Sequence, residues 1–306
     1  MAAERPEERP LEKPAPYPPD DHVLRDLQIV FGREDGVPFA EMPVFPEICD
    51  DRGAVRAGVL AIFVDVFAGS AAVRAVQPDW IATGDLALCR LRPSHKDRLR
   101  ATARVLRAGR RTVVLEVELR ARRDLTSGSG LASAGPRLAP LDSPCALATM
   151  TFSRLPRRDT QAFAPLDDDL EGEMKMPLLG PGLQLPLLER IGLVTVDAAA
   201  GIVEVPKSEY IANSLRAIQG GVMALIAEAA GESAACRAIG SAAATVDLSI
   251  HYLELCRAGP VRTSARVLRS AASSCLVRVE LRDAGDDDRL LAVATATALG
   301  AAALED

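Results

Sequence analysis

Lysine is nearly missing from this chain. Only four of its 36 basic residues are Lys, and no glycine-rich loop precedes one, so phosphate-loop nucleotide hydrolysis lacks both its cradle and its ammonium. Histidine is as sparse, at His22, His95 and His251. None begins an HExxH pair, which argues against a histidine-rich catalytic metal site. The six cysteines, Cys49, Cys89, Cys145, Cys236, Cys256 and Cys275, are dispersed with no CxxC pair. They read as reduced thiols at apolar positions, not as a disulfide framework or zinc site. Positive charge is in deficit, 36 Lys and Arg against 42 Asp and Glu for a net −6, which disfavours a nucleic-acid partner. No run approaches 18 apolar residues without charge, and the opening MAAERPEERPLEKPAPYPPD lacks the apolar stretch of a secretory signal. The expectation is a cytoplasmic protein with no membrane partner.

What is present is enough apolar residue, 48% of 306, for one large domain or two ordinary ones. Six prolines between Pro6 and Pro19 mark residues 1–21 as a flexible arm. A second polar, proline-containing passage at 156–183, with the run Asp167, Asp168, Asp169, reads as a linker between domains at 22–155 and 184–306. Those two domains repeat one another. ARVLR at Ala103–Arg107 returns at Ala265–Arg269, and VELR at Val117–Arg120 returns at Val279–Arg282, both at an offset of 162. Thr83 and Asp85 align with Thr245 and Asp247 at that offset, and EMP at Glu41–Pro43 with EVP at Glu204–Pro206 at 163. Two blocks in one register indicate a duplication.

Each copy reads as an initial strand, one central helix, then antiparallel strands. The helices are expected at Ala57–Val76 and Gln219–Cys236, the latter rich in small residues that permit close packing. Alternation of Val246, Leu248, Ile250 and Tyr252 with polar residues predicts a half-buried strand. Further strands are expected near 86–91, 101–106, 113–119, 261–268, 275–281 and 290–298, with strand-like residues also at 193–206. Ala148 matches Ala294 at an offset of only 146, so copy one carries 16 extra residues around DLTSGSGLASAGP. That insertion reads as a loop.

Asn213, Gln219-Gly220-Gly221 and Glu228 in copy two, and Asp65 in copy one, resemble the hotdog acyl-CoA thioesterases, especially the phenylacetic-acid-pathway group and related tandem proteins. The spacing is similar to that family's loop asparagine, His-Gly-Gly helix entrance and helical carboxylate, with Gln219 where the histidine usually stands. Copy one departs further: Asp50 stands for Asn213, Arg56 for Gln219, and Ala57-Gly58 for Gly220-Gly221, while Asp65 keeps the nine-residue spacing that separates Glu228 from Gln219. The resemblance implies an α+β tandem double hotdog, each copy a long helix wrapped by an antiparallel sheet. It also implies composite sites that take the entrance from one copy and the carboxylate from the other.

One composite then joins Asn213, Gln219 and Gly220 with Asp65. The other joins Asp50, Arg56 and Ala57 with Glu228, and the first is favoured for its polar amides and paired glycines. In it Asp65 acts as base or nucleophile, and the Gly220 amide supports the oxyanion at a positive helix end. Arg107, Arg110 and Arg111 are candidates for coenzyme A phosphates. No metal or separate cofactor is implied, coenzyme A being part of the substrate. Plainer roles stand beside these: a helix cap or loop hydrogen bond for Asn213 and Gln219, a local ion pair between Asp50 and Arg56, a structural role for His251, and core packing for Phe63, Phe67, Met223 and Ile226. The leading function is acyl-CoA thioester hydrolysis. The alternative is a noncatalytic acyl-CoA binding or regulatory protein, and association of two double-hotdog chains into a homodimer is left open.

Overall fold

A computed structural model describes residues 17–95, 98–122, 143–156, 176–300 and 303. The insertion at 124–136, the acidic run at 167–173 and the arm before Tyr17 lie outside these. The first repeat contains α1 (Val23–Asp26), β1 (Val30–Glu34), β2 (Val37–Pro43), α2 (Ala57–Val76), β3 (Trp80–Arg90), β4 (Arg98–Ala108), β5 (Thr112–Arg122) and β6 (Pro144–Leu155). A short β7 (Met176–Pro177) pairs with β1. The second repeat follows the same order with α3 (Leu187–Arg190), β8 (Val194–Asp197), β9 (Ile202–Val205), α4 (Gly220–Ile239), β10 (Ala243–Tyr252), β11 (Val261–Ser270), β12 (Ser274–Asp283) and β13 (Arg289–Gly300). This is a tandem double hotdog.

The two sheets are continuous. Their strand order, β7-β1-β2-β4-β5-β6-β3-β10-β13-β12-β11-β9-β8, is symmetric about the antiparallel β3–β10 pair except for the short β7 at one edge. Beneath the sheet, α2 and α4 cross antiparallel. A Cβ on Gly58 would lie 2.4 Å from the Leu225 Cα, and one on Gly221 2.4 Å from the Ile62 Cα. Only glycine permits backbones that close. The crossing puts the first turn of each helix beside the middle of the other, where the other's carboxylate sits. Both helices are buried nearly all round, with Phe63, Phe67, Met223 and Ile226 in the core. By length and composition α2 is apolar enough to cross a bilayer, yet it carries Asp65 and is enclosed by protein.

Local differences from the sequence expectation have local causes. The stretch 193–206 is a hairpin, β8 and β9, because the Asp197 carboxylate accepts the Ala199 and Ala200 amides and turns the chain before Gly201. An Asp35-Gly36 pair, both at positive φ, closes an unanticipated β1–β2 hairpin. Val246 falls in a bulge between Thr245 and Asp247, so Thr245 is buried while Val246 is only half-buried. The same bulge recurs between Thr83 and Asp85. It breaks the alternation and aims each threonine at the helices.

Candidate functional site

Neither α2 nor α4 has a side-chain cap: Arg56 and Gln219 occupy the N-cap positions without capping hydrogen bonds. The first amides of each helix therefore need partners from elsewhere. At α4 the partner is Asp65 of the other repeat, whose Oδ2 accepts the Gly221 amide at 2.9 Å. Its Oδ1 accepts the Thr83 hydroxyl at 2.9 Å, which the β3 bulge presents. The Gly220 amide has no hydrogen-bond partner among the described residues. A Cβ at Gly220 would lie 3.1 Å from both Asp65 Oδ2 and Thr83 Oγ1, so glycine there keeps the carboxylate approachable.

Charge follows geometry. Burial raises the Asp65 pKa above the ordinary carboxylate range, against the lowering effect of its bonds from Gly221 and Thr83. Two phenols close the site. Tyr252 donates to the Gly220 carbonyl at 2.7 Å, and burial followed by the Asp65 and Asp85 charges keeps it well above its usual pKa. Tyr17 accepts from Gln219 Nε2 at 2.6 Å. Asn213 instead ties its own loop, its Oδ1 accepting the Leu215 and Ala217 amides at 2.9 and 3.1 Å. Sequence reasoning missed Thr83, Tyr252 and Tyr17 as members of the site. The alignment of Thr83 with Thr245 was a usable signal for the first.

Both repeats match the family model described as the thioesterase superfamily, at residues 53–127 and 217–290. Over those segments, the central helix of each repeat and the strands that follow it, both repeats belong to the thioesterase superfamily. Solved structures that share its fold across nearly their whole length include an acyl-ACP thioesterase from Bacteroides thetaiotaomicron VPI-5482, at 9% identity and TM-score 0.51 over 85% of this chain and 96% of that one. A tesB protein from Mycobacterium avium subs paratuberculosis is similar at 14% identity and TM-score 0.51, over 86% and 92%. A hot dog protein from Alicyclobacillus acidocaldarius is similar at 13% and 0.51, over 91% and 98%. At such identities these likenesses speak to the fold alone. Among curated proteins none matches the sequence.

In this double hotdog the pseudo-symmetric half is closed. Arg56 lies across the α2 entrance and pairs with Glu228 at 3.2 Å and Glu232 at 2.5 Å. The expected Asp50–Arg56 pair does not form. Asp50 Oδ1 accepts the Arg52 and Ala54 amides at 3.0 Å each, as Asn213 does in its loop, and Oδ2 faces Arg90 at 3.9 Å. Arg56 starts the helix that crosses α4, and its guanidinium reaches two buried carboxylates instead. Burial pushes the fully enclosed Glu228 up to about 7, against the pull of Arg56. Among the described residues its Oε1 and the Thr245 hydroxyl have no hydrogen-bond partner, whereas their counterparts Asp65 and Thr83 bond one another.

The remaining superfamily candidates sit apart from that crossing. Arg107, Arg110 and Arg111 are exposed around the β4–β5 turn. Thr112 lies opposite Ser153, and Ser153 opposite Ala82, so the tip is two strand spacings, about 10 Å, from the β3 residues beside Thr83. His251 is on the outer face, its Nδ1 2.5 Å from Asp85 Oδ1. Among the described residues no three His, Cys, Asp or Glu side chains are grouped to hold a metal ion.

Proposed function

We propose that the chain hydrolyses an acyl-CoA thioester, without a metal, at the single composite site formed by Asp65 and the first turn of α4. The observation that carries this reading is the 2.9 Å bond from the Gly221 amide to Asp65 across the two repeats, beside a Gly220 amide with no partner among the described residues. Thioester hydrolysis needs a base or nucleophile next to an oxyanion donor. In the general-base route water attacks the carbonyl carbon, Asp65 takes its proton, the oxyanion meets the Gly220 amide, and the thiolate leaves with the proton from Asp65. In the covalent route an Asp65 oxygen attacks the carbonyl carbon and expels the thiolate, and water then cleaves the mixed anhydride, restoring the Asp65 carboxylate and releasing the proton that the thiolate takes up. Both routes use the same groups. The raised Asp65 pKa supports either, since a carboxylate titrating closer to neutrality is a stronger base.

The exposed arginines at 107, 110 and 111 suit the phosphates of coenzyme A at the same end of the sheet. Resemblance to the phenylacetic-acid-pathway group puts aromatic acyl groups beside aliphatic ones as substrates to test. A binding protein without turnover is the second reading, favoured by Gln219 in place of a histidine. Continuous thiol release across short, medium, long and aromatic acyl-CoAs separates the two. The Asp65→Asn variant should keep the wild-type melting temperature and lose at least about 100-fold in kcat, the scale of losing a principal catalytic group. Wild-type turnover in Asp65→Asn would overturn the assignment.

A further inference from the structure

The segment before α1 reaches across the molecule to the working half-site and not to the closed one. Arg25 holds this segment, its Nε donating to the Pro19 carbonyl at 2.8 Å and its Nη2 to that of Pro18 at 2.9 Å. His22 caps α1 through Nδ1, which accepts the Leu24 amide at 3.2 Å, so Nε2 bears the hydrogen and donates to the Ala212 carbonyl at 2.9 Å. The Tyr17 ring stands edge-on to His22 with centroids 5.3 Å apart. Its hydroxyl donates to that same Ala212 carbonyl at 3.3 Å. A phenol has one proton. Once that proton is on Ala212, the end of Gln219 facing the phenol oxygen at 2.6 Å must be the amide NH2.

In this arrangement Gln219 turns Nε2 toward the phenol and Oε1 away from it. With Nε2 held by Tyr17, its Oε1, which has no hydrogen-bond partner among the described residues, is the end left for the site. Gln219 is the N-cap residue directly before Gly220 and its open amide. Although Tyr17 as a residue is 45% exposed, burial around its hydroxyl, opposed by the Gln219 bond and aided by the Asp65 charge, pushes its pKa up to about 12. The phenol therefore keeps its proton at neutral pH. In the second repeat α3 corresponds to α1 at an offset of 164, and Pro181 and Pro186 stand where Tyr17 and His22 stand in the first. Neither proline side chain has a polar atom to offer the Asp50–Arg56 loop.

We propose that Tyr17 is a positioning residue of the thioester site, fixing the Gln219 carboxamide so that its oxygen, as an acceptor, faces the attacking water or the substrate amide beside Gly220. This rests on the thioester reading above, and the test has one readout that does not. The chain has five glutamines, so glutamine-selective 15N labelling gives a sparse side-chain spectrum in which the Gln219→Ala variant identifies the pair from Gln219. In wild type that pair should be displaced from the free-amide position and slow to exchange. In Tyr17→Phe, which keeps the ring against His22, it should collapse to the free-amide position. Alongside, Tyr17→Phe should lower kcat about tenfold with little change in KM, the scale of one orienting hydrogen bond. The double variant Tyr17→Phe, Gln219→Ala should lose no more than Gln219→Ala alone. An unchanged Gln219 signal in Tyr17→Phe overturns the proposal, as do rate losses that simply multiply in the double variant. If wild type releases no thiol while the Gln219 signal still collapses, hydrolysis fails and the positioning stands.

Discussion

Two hydrogen bonds pull the Asp65 pKa down while burial pushes it up, and burial wins. The Thr83 hydroxyl bonds the charged form, so removing it takes away one of the lowering contributions. Catalysis by either route needs the ionised carboxylate. Activity should therefore rise with pH through a limb set by Asp65, above the usual carboxylate range. In Thr83→Val that limb should move to still higher pH, with activity at high pH reduced less than activity at low pH. A kcat/KM profile across pH 4 to 9 reads it, and an unmoved limb would remove Thr83 from the account. The sequence paired Asp65 with Gly220 by resemblance to the thioesterases' helix entrance and helical carboxylate, whose nine-residue spacing recurs in both copies. Tyr17 and Tyr252 were not legible. One lies at the end of a proline-rich arm that composition alone marks as flexible, and the other was absorbed into the apolar alternation of a strand.

At the scale of the helix pair, the closed half-site acts as a clasp. Arg56 on α2 joins Glu228 and Glu232 on α4, with the three side chains 14%, 0% and 11% exposed. Removing the cation strands two buried carboxylates, a change that costs about 3–5 kcal/mol. Arg56→Met should thus lower the melting temperature by many degrees, and Glu228→Gln in the same chain should restore part of the loss. A silent Arg56→Met would mean that the clasp contributes nothing. The Glu228 pKa adds a pH signature. Because it is raised in the fold from 4.5 to about 7, the stability it confers is fully present below about pH 4.5 and is lost as pH rises through 7. Glu228→Gln should flatten that slope in melts between pH 4.5 and 7.5. The two long helices were readable to within a few residues: α2 is Ala57–Val76 as the pattern predicts, and α4 runs three residues past Cys236 to a left-handed Gly240. What the pattern hid were bulges and tight turns, where one residue changes the face of every neighbour.

Apart from β7, the strands are arranged symmetrically about β3–β10 with two antiparallel helices beneath, so the backbone builds two equivalent entrances. Side chains make them unequal. Around Asp65 the entrance has paired glycines, an open amide and a tyrosine from the N-terminal segment; around Glu228 it has Ala57, a guanidinium and two carboxylates in mutual contact. The duplication was visible in the sequence from ARVLR and VELR alone, while the preference for one entrance rested on the polar amides and paired glycines that keep more of the thioesterase pattern. Closure of the other was not visible, because it depends on Arg56 choosing partners 172 and 176 residues away over Asp50 nearby. If that closure holds in solution, one chain binds one substrate. Titration calorimetry with a thioether analogue of acyl-CoA, which cannot be hydrolysed, should give a stoichiometry of one per chain. Asp65→Leu should weaken that binding, and Glu228→Gln should leave it unchanged. A stoichiometry of two would require Arg56 to leave both carboxylates when ligand arrives, and the asymmetry would then describe only the empty protein.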